Sequence, residues 1–336
     1  MRMRSAVAVL AAAIVMGLAA APAAAQAPGP ATPVGAALDH IEKVSDQRWN
    51  VFVHSPSMDE VVELQVLRPA DTSVPRPTLY MLNGAGGGED GANWTRQTDI
   101  VDFFGDKNVN VVIPVGGYIS YYTDWRRDDQ ELGRNQWQTF LTRELPPVLD
   151  AALGANGVNA IGGLSMSAGS VLDLAIQTPG LYRGVASYSG CAMTSDPVGQ
   201  ALVRVVVEGA GGGDTRNMWG PTDDPEWVRH DPYVNAEKLR GLELFISSGS
   251  GLPGPFEEPG ATRPAASPPL EDQIVVGGAI EAATNHCTQR LVHRLGELGI
   301  PAEVDLRPTG THSWGYWQEA LHRSWPVLAR ALRLEG

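Results

Sequence analysis

Apolar positions along this chain recur with two periods, and the two alternate. Runs at 61–69 (VVELQVLRP), 78–84 (TLYMLNG), 109–117 (VNVVIPVGG), 159–165 (NAIGGLS), 184–190 (GVASYSG), 242–249 (LELFISSG) and 302–310 (AEVDLRPTG) are short and mostly apolar, and turn residues lie beside them. Each predicts a strand, and the uninterrupted ones predict strands buried on both faces. Between them the helical period takes over. Over 138–153 (QTFLTRELPPVLDAAL) Phe140, Leu141, Leu145 and Val148 share one face, and over 287–299 (CTQRLVHRLGELG) Leu291, Leu295 and Leu298 do the same. Strands alternating with helices predict an α/β fold: a mostly parallel sheet with helices on both faces. In such sheets reactive groups gather at the carboxyl ends of the strands.

Two stretches break the alternation. Residues 192–242 hold helical and turn pieces without a clear strand, which predicts a helical insertion over one end of the sheet. Residues 249–270 (GSGLPGPFEEPGATRPAASPPL) are dense in Gly and Pro and predict a long irregular loop, a kind usually either functional or disordered. Upstream, residues 1–25 place Arg2 and Arg4 before an unbroken small, apolar run that ends in Ala23-Ala24-Ala25, the layout of a secretory signal peptide. A flexible Pro/Ala-rich leader is expected over 26–44, then one domain over 45–336. Without the signal segment 23 basic residues face 38 acidic ones, a net charge of −15. That balance disfavours nucleic acid as a partner, because backbone binding needs clustered positive charge. No later run is long enough to span a bilayer, so a protein secreted to the cell envelope is expected. The two cysteines, Cys191 and Cys287, are then expected to form a disulfide in an oxidising compartment, with two free buried thiols as the alternative.

The chemistry concentrates at 161–176 (IGGLSMSAGSVLDLAI), where a strand passes through two glycines into a helical pattern. A serine at such a turn is held out above the sheet, as in the nucleophile elbow of the α/β-hydrolase fold. Neither serine completes the G-x-S-x-G pattern. Ser165 has Gly163 before it but Ser167 after it, and Ser167 has Gly169 after it but Ser165 before it. Position at the turn favours Ser165, since Ser167 would lie in the first helical turn, where hydroxyls cap or face solvent. A serine nucleophile needs a base and an orienting acid in the chain order Ser, acid, His. His312 falls in the loop between the last strand and the terminal helix. His40 and His54 come too early, His230, His286 and His293 lie in the insertion or on a helix, and His322 lies inside the last helix. The acid falls among Glu257, Glu258, Glu271, Asp272, Glu281, Glu297, Glu303 and Asp305. Glu281, near a helix start, leads and Asp305 follows. Oxyanion donors are expected at the backbone N–H groups of Met166 and of Ala85, in the glycine-rich LNGAGGGED. No Gly-Lys-Ser/Thr follows that loop and no H-E-x-x-H occurs, so neither a cofactor nor a metal is expected.

The segments YMLNGAGGGEDGANW, VVIPVGGYISYYTDW, QTFLTRELP, GGLSMSAGS, MWGPTDDPEWVRHDP and GTHSWGYW, in order over about residues 45–330, resemble the mycolyltransferases of the antigen-85 type. These are secreted α/β hydrolases of mycolic-acid-bearing bacteria. The resemblance implies Ser165 as nucleophile, Glu281 as the acid and His312 as the base. It places the oxyanion donors at Ala85 and Met166. Trp314 would line a sugar pocket or pack the terminal helix. Where many members carry an Asp-Gly-Leu-Arg run that helps to hold trehalose, this chain has Asn83-Gly84-Ala85-Gly86, so Asn83 and Gly86 take the substrate-contact positions without the charged clamp. RRDDQELG stands where some members carry a cysteine pair.

The implied activity is transfer of a mycolyl group from trehalose monomycolate to a sugar hydroxyl, on trehalose mycolate or cell-wall arabinan, through a serine acyl-enzyme. The alternatives are a secreted carboxylesterase with the same triad and a non-catalytic cell-wall glycan-binding protein.

Overall fold

All seven runs singled out by their apolar pattern are strands, and two more precede them. In chain order the strands are β1 (Ala37–Lys43), β2 (Arg48–Ser55), β3 (Glu60–Leu67), β4 (Arg76–Leu82), β5 (Asn110–Val115), β6 (Ala155–Leu164), β7 (Tyr182–Tyr188), β8 (Glu243–Ser248) and β9 (Glu303–Leu306). They form one nine-stranded sheet in the order β1-β2-β3-β5-β4-β6-β7-β8-β9. The β1, β2, β3 and β5 neighbours pair antiparallel, and all pairs from β5 through β9 are parallel. The structure, a computed structural model, describes residues 35–264 and 267–334. The signal peptide expected over 1–25 and the start of the leader lie outside the described residues.

The leader expected over 26–44 needs correction, because from Ala37 it is strand. Nearly every side chain of β1 is exposed, so no hydrophobic pattern marks it. It is held instead by its backbone ladder to β2, whose Val51 and Val53 are fully buried.

Alternation along the central strands divides the core in two. Tyr80 and Leu82 of β4, Ile161 of β6 and Val185 of β7 face one side, packed against the helices α1 (Leu145–Leu153), α2 (Met166–Gln177) and α3 (Gly278–Glu297). Leu79 and Met81, Ala160 and Leu164, and Ala186 and Tyr188 face the other side, covered by α4 (Trp314–Ala331) and the short helices near 94–104. The period-2 placement of side chains on a strand makes both faces apolar at once, as a doubly covered sheet requires. The helix expected over 138–153 contains a wider turn at Phe140–Glu144 before α1, where Pro146 and Pro147 occupy the start of the helix and supply no N–H donors.

Between β7 and β8 the chain has no strand, as expected, only short helical pieces such as Pro197–Arg204 and Pro225–Arg229. Val203, Val207, Met218, Trp219 and Trp227 of this insertion pack with Ile119 and Trp125 from the segment after β5. That segment leaves the carboxyl end of a strand, so the insertion lies over the same end of the sheet.

Cys191 and Cys287 are disulfide-bonded, with Cα atoms 5.0 Å apart and a sequence separation of 96. The bridge ties α3 to the loop after β7. A loop of this length carries about 4–5 kcal/mol of chain-entropy stabilisation in the unfolded-state model. A Cys191→Ser/Cys287→Ser protein is expected to lose a few kcal/mol of that in urea unfolding, with a steeper slope because its unfolded chain is less compact. An unfolding free energy in water equal to that of the parent would show that the bridge contributes nothing to stability.

Candidate active site

Ser165 sits between β6 and α2 with φ 57° and ψ −120°, a conformation L-residues rarely adopt. The strain is held by a tight surrounding. Ser165 N–H donates to the Tyr188 carbonyl at 2.9 Å, and a Cβ at Gly190 would lie 2.3 Å from Ala168 Cβ and 2.7 Å from the Ser165 carbonyl oxygen. Only a glycine lets the β7 loop pass this close to the turn, which accounts for the small residues that flank the serines. Ser165 remains half-buried. Ser167 is fully buried, with its hydroxyl donating to the Leu164 carbonyl at 3.0 Å.

The turn brings Ser165 Oγ to 2.8 Å from His312 Nε2. His312 lies in the loop between β9 and α4, with its ring edge-on to Trp317 at 4.9 Å. Its Nδ1 is 2.7 Å from Glu281 Oε2, in the first turn of α3. Glu281 is fully buried. Its Oε1 accepts from the Ser189 hydroxyl at 2.8 Å, the Ser248 hydroxyl at 3.0 Å and the Gly249 N–H at 2.6 Å. Burial pushes this carboxyl up, but His312, Ser189 and Gly249 outweigh it and hold the pKa below the usual range, so Glu281 stays ionised. A carboxylate fixed this way orients Nδ1–H toward itself and leaves Nε2 free to accept the serine proton.

The other histidines are occupied elsewhere or exposed. His230 Nδ1 meets Asp173 at 2.6 Å, His322 meets Asp99 at 2.9 Å, and His40 stacks on Phe52. Among the competing acids, Asp305 pairs with Arg323 at 3.0 Å.

The glycine loop after β4 runs against the turn. A Cβ at Gly84 would sit 3.0 Å from Leu164 Cδ1 and 3.5 Å from Ser165 Cβ, so Ala85 lies beside the serine. The Ala85 carbonyl accepts from Ile119 N–H at 2.8 Å, which fixes the orientation of the residue. Met166 opens α2, where a helix leaves its first N–H groups without intrahelical partners. The two expected donors therefore flank Ser165.

Asn83 is fully buried, and its amide is spent on the loop itself: Nδ2 donates to the Pro114 carbonyl at 3.0 Å and Oδ1 accepts from Trp94 N–H at 3.4 Å. The substrate contact expected there is corrected to a scaffolding role, because reaching a ligand would break these buried bonds. Gly86 is half-buried beside Asp90. Trp314 is 8% exposed and sits edge-on to Trp94 and Trp317 at 5.6 and 5.1 Å, so most of its ring is packing.

Three supports escaped sequence reasoning. Ser189 and Ser248 directly follow or end strands, which is the only trace they leave in the sequence. Ile119, Tyr121 and Tyr122 all adopt positive φ (56°, 55° and 49°) in the loop that braces Ala85. A β-branched residue in that conformation is an outlier that no local pattern announces.

A hydroxyl, a buried carboxylate and an imidazole in this chain order, at the carboxyl ends of a parallel sheet, define a serine esterase of the α/β-hydrolase class. The Esterase family model matches residues 55–327. The diacylglycerol acyltransferase/mycolyltransferase Ag85A of Mycobacterium tuberculosis is 32% identical over 295 residues, covering 83% of this chain and 80% of that protein. Ag85C of Mycobacterium leprae is 31% identical over 286 residues, covering 83% and 80%. The chain belongs to the antigen-85 family of mycolyltransferases. Among solved structures, MPT51 (FbpC1) of M. tuberculosis superposes with a TM-score of 0.70 at 26% identity, covering 86% of this chain and all of that one. The fluorophosphonate-binding serine hydrolase FphF of Staphylococcus aureus shares the fold at a TM-score of 0.60 and 18% identity.

Among the described residues no helix is long and apolar enough to cross a membrane. No group of three or more His, Cys, Asp or Glu side chains among them is placed to hold a metal ion.

Proposed function

We propose that the chain is a secreted cell-envelope acyltransferase that moves a mycolyl group from trehalose monomycolate to a sugar hydroxyl. The observation that carries this reading is the continuous relay from Glu281 through His312 to Ser165, at 2.7 and 2.8 Å, beside the Ala85 loop. His312 Nε2 takes the Ser165 proton as Oγ attacks the ester carbonyl. The Ala85 and Met166 N–H groups receive the developing oxyanion. Collapse expels the trehalose oxygen, which leaves with the proton from His312, and Ser165 holds the acyl group. An acceptor hydroxyl then gives its proton to His312 and attacks the acyl carbon. The ester forms on the acceptor, and His312 returns the proton to Ser165. Ping-pong kinetics follow from the covalent intermediate.

The names of the relatives support mycolyl chemistry, and the bridge between Cys191 and Cys287 agrees with a compartment outside the cytoplasm. The acceptor is tested by incubating the mature protein with trehalose monomycolate and labelled trehalose. Labelled mycolate ester is expected in excess of free mycolic acid. Free acid as the sole product, at every trehalose concentration, would leave a carboxylesterase.

A further inference from the structure

Glu257 lies on the turn Pro255–Glu257, in the long loop after β8, and is 6% exposed. It has no basic side chain within ion-pair distance among the described residues, yet its carboxylate accepts hydrogen bonds from four separate places. Oε1 accepts from Gln273 Nε2 at 2.5 Å and from the Thr311 hydroxyl at 2.6 Å. Oε2 accepts from Gly254 N–H at 2.8 Å and from the Tyr316 hydroxyl at 2.5 Å.

Three of these donors lead to the active site. Thr311 is bonded directly to His312. Gln273 begins the turn Gln273–Gly277, and the Gly277 carbonyl accepts His312 N–H at 3.1 Å. That turn runs straight into α3, which carries Glu281. Tyr316 belongs to the first turn of α4, just past His312, and Phe256 closes edge-on over its ring at 4.8 Å. The loop is therefore pinned against the histidine segment from both sides of the residue, and the pin is one buried carboxylate.

We propose that Glu257 is a positioning residue for the acyl transfer, holding the His312 backbone and the start of α3 in the register that lines up Glu281, His312 and Ser165. This rests on the serine acyl-enzyme reading above. Burial pushes the Glu257 carboxyl up, but the bonds from Thr311, Tyr316, Gly254 and Gln273 outweigh it and hold it below the usual range, so it stays an acceptor at every oxygen. A neutral amide cannot do this. In Glu257→Gln the new NH2 group faces either Gln273 Nε2 or Gly254 N–H, so one buried amide donor loses its acceptor and the hydroxyl beside it, Thr311 or Tyr316, must turn from donor to acceptor.

The test compares Glu257→Gln with the parent by the rate at which a fluorophosphonate labels Ser165 and by kcat and KM on a short-chain activated ester. The far-downfield proton NMR signal of Nδ1–H, held between His312 and Glu281, is the third readout. Misalignment of the order of 1 Å costs about 100-fold in rate, so labelling and kcat are expected to fall roughly 10- to 100-fold with KM little changed. The downfield signal is expected to broaden or vanish in a protein that still melts cooperatively. A residue that only stabilised the fold would lower the melting temperature and leave the labelling rate and that signal in place.

Thr311→Val/Tyr316→Phe removes one donor from each carboxylate oxygen and keeps the charge, and it serves if Glu257→Gln does not fold. It is expected to slow labelling several-fold. Folded variants labelled within twofold of the parent, with the downfield signal intact, would overturn the proposal for Glu257 alone. A parent that is never labelled would remove it together with the serine acyl-enzyme reading. None of the three readouts involves a mycolate or a sugar, so the identity of the acceptor does not enter.

Discussion

Ser165→Ala is expected to lose covalent capture by a fluorophosphonate completely and to lower acyl transfer about 10⁶-fold, the scale seen when the nucleophile of a serine triad is removed. The reason is local. Ser165 Oγ is the hydroxyl within hydrogen-bond reach of His312 Nε2, and the strained backbone at φ 57° holds it there before substrate arrives. Ser167 is the internal control. Its hydroxyl is buried against the Leu164 carbonyl, so Ser167→Ala costs about 1 kcal/mol of stability and leaves the adduct in place. Intact-mass analysis of the three proteins after brief exposure to the reagent reads both expectations. An adduct that survives in Ser165→Ala, or disappears in Ser167→Ala, would move the nucleophile.

Glu281→Gln is expected to cost about 10⁴-fold in kcat while the protein stays folded, comparable to the loss when the acid of a serine triad becomes an amide. The environment of the carboxylate dictates how the amide must sit. Gly249 N–H, at 2.6 Å from Oε1, can only donate, and the Ser189 and Ser248 hydroxyls converge on the same oxygen. The amide oxygen is therefore drawn to that side, and its NH2 group is turned toward His312 Nδ1. Nδ1 must then act as acceptor, which places the ring proton on Nε2, facing Ser165. An imidazole in that tautomer cannot take the serine proton. Single-turnover acylation with an activated ester measures the loss directly. A kcat within tenfold of the parent would show that Glu281 does not set the tautomer.

How much of this was legible before folding depended on how far apart the cooperating residues stand. The seven apolar runs became strands because burial on both faces demands continuous hydrophobicity, a local signature. The first strand went unmarked for the complementary reason. β1 buries almost nothing and is held by pairing with β2, which no composition reports. Ser165 was readable from the glycines around it, since the close approach of Gly190 and the strain at the turn both demand small neighbours. His312 was readable from its place after the last strand. Glu281 led eight acids by its place near a helix start, but spacing did not exclude the other seven, and the substrate contact expected at Asn83 gave way because its amide is bonded to its own loop.

The layered architecture, the turn that presents a serine, the chain order of the reacting groups and the family are all legible in the chain before it folds. Those properties are written in short segments, where one residue's neighbours along the chain are also its neighbours in space. Which acid meets His312, which donors converge on that acid, that Cys191 reaches Cys287 and that Glu257 braces the histidine loop are set by long-range packing. Each of those contacts joins residues 31 to 96 positions apart, counting Glu281 to His312, Glu257 to Thr311 and the disulfide. Hydrogen bonds of that kind depend on a few tenths of an ångström set by the packing of β7, β8, α3 and α4 together, and no pattern along one segment encodes that distance.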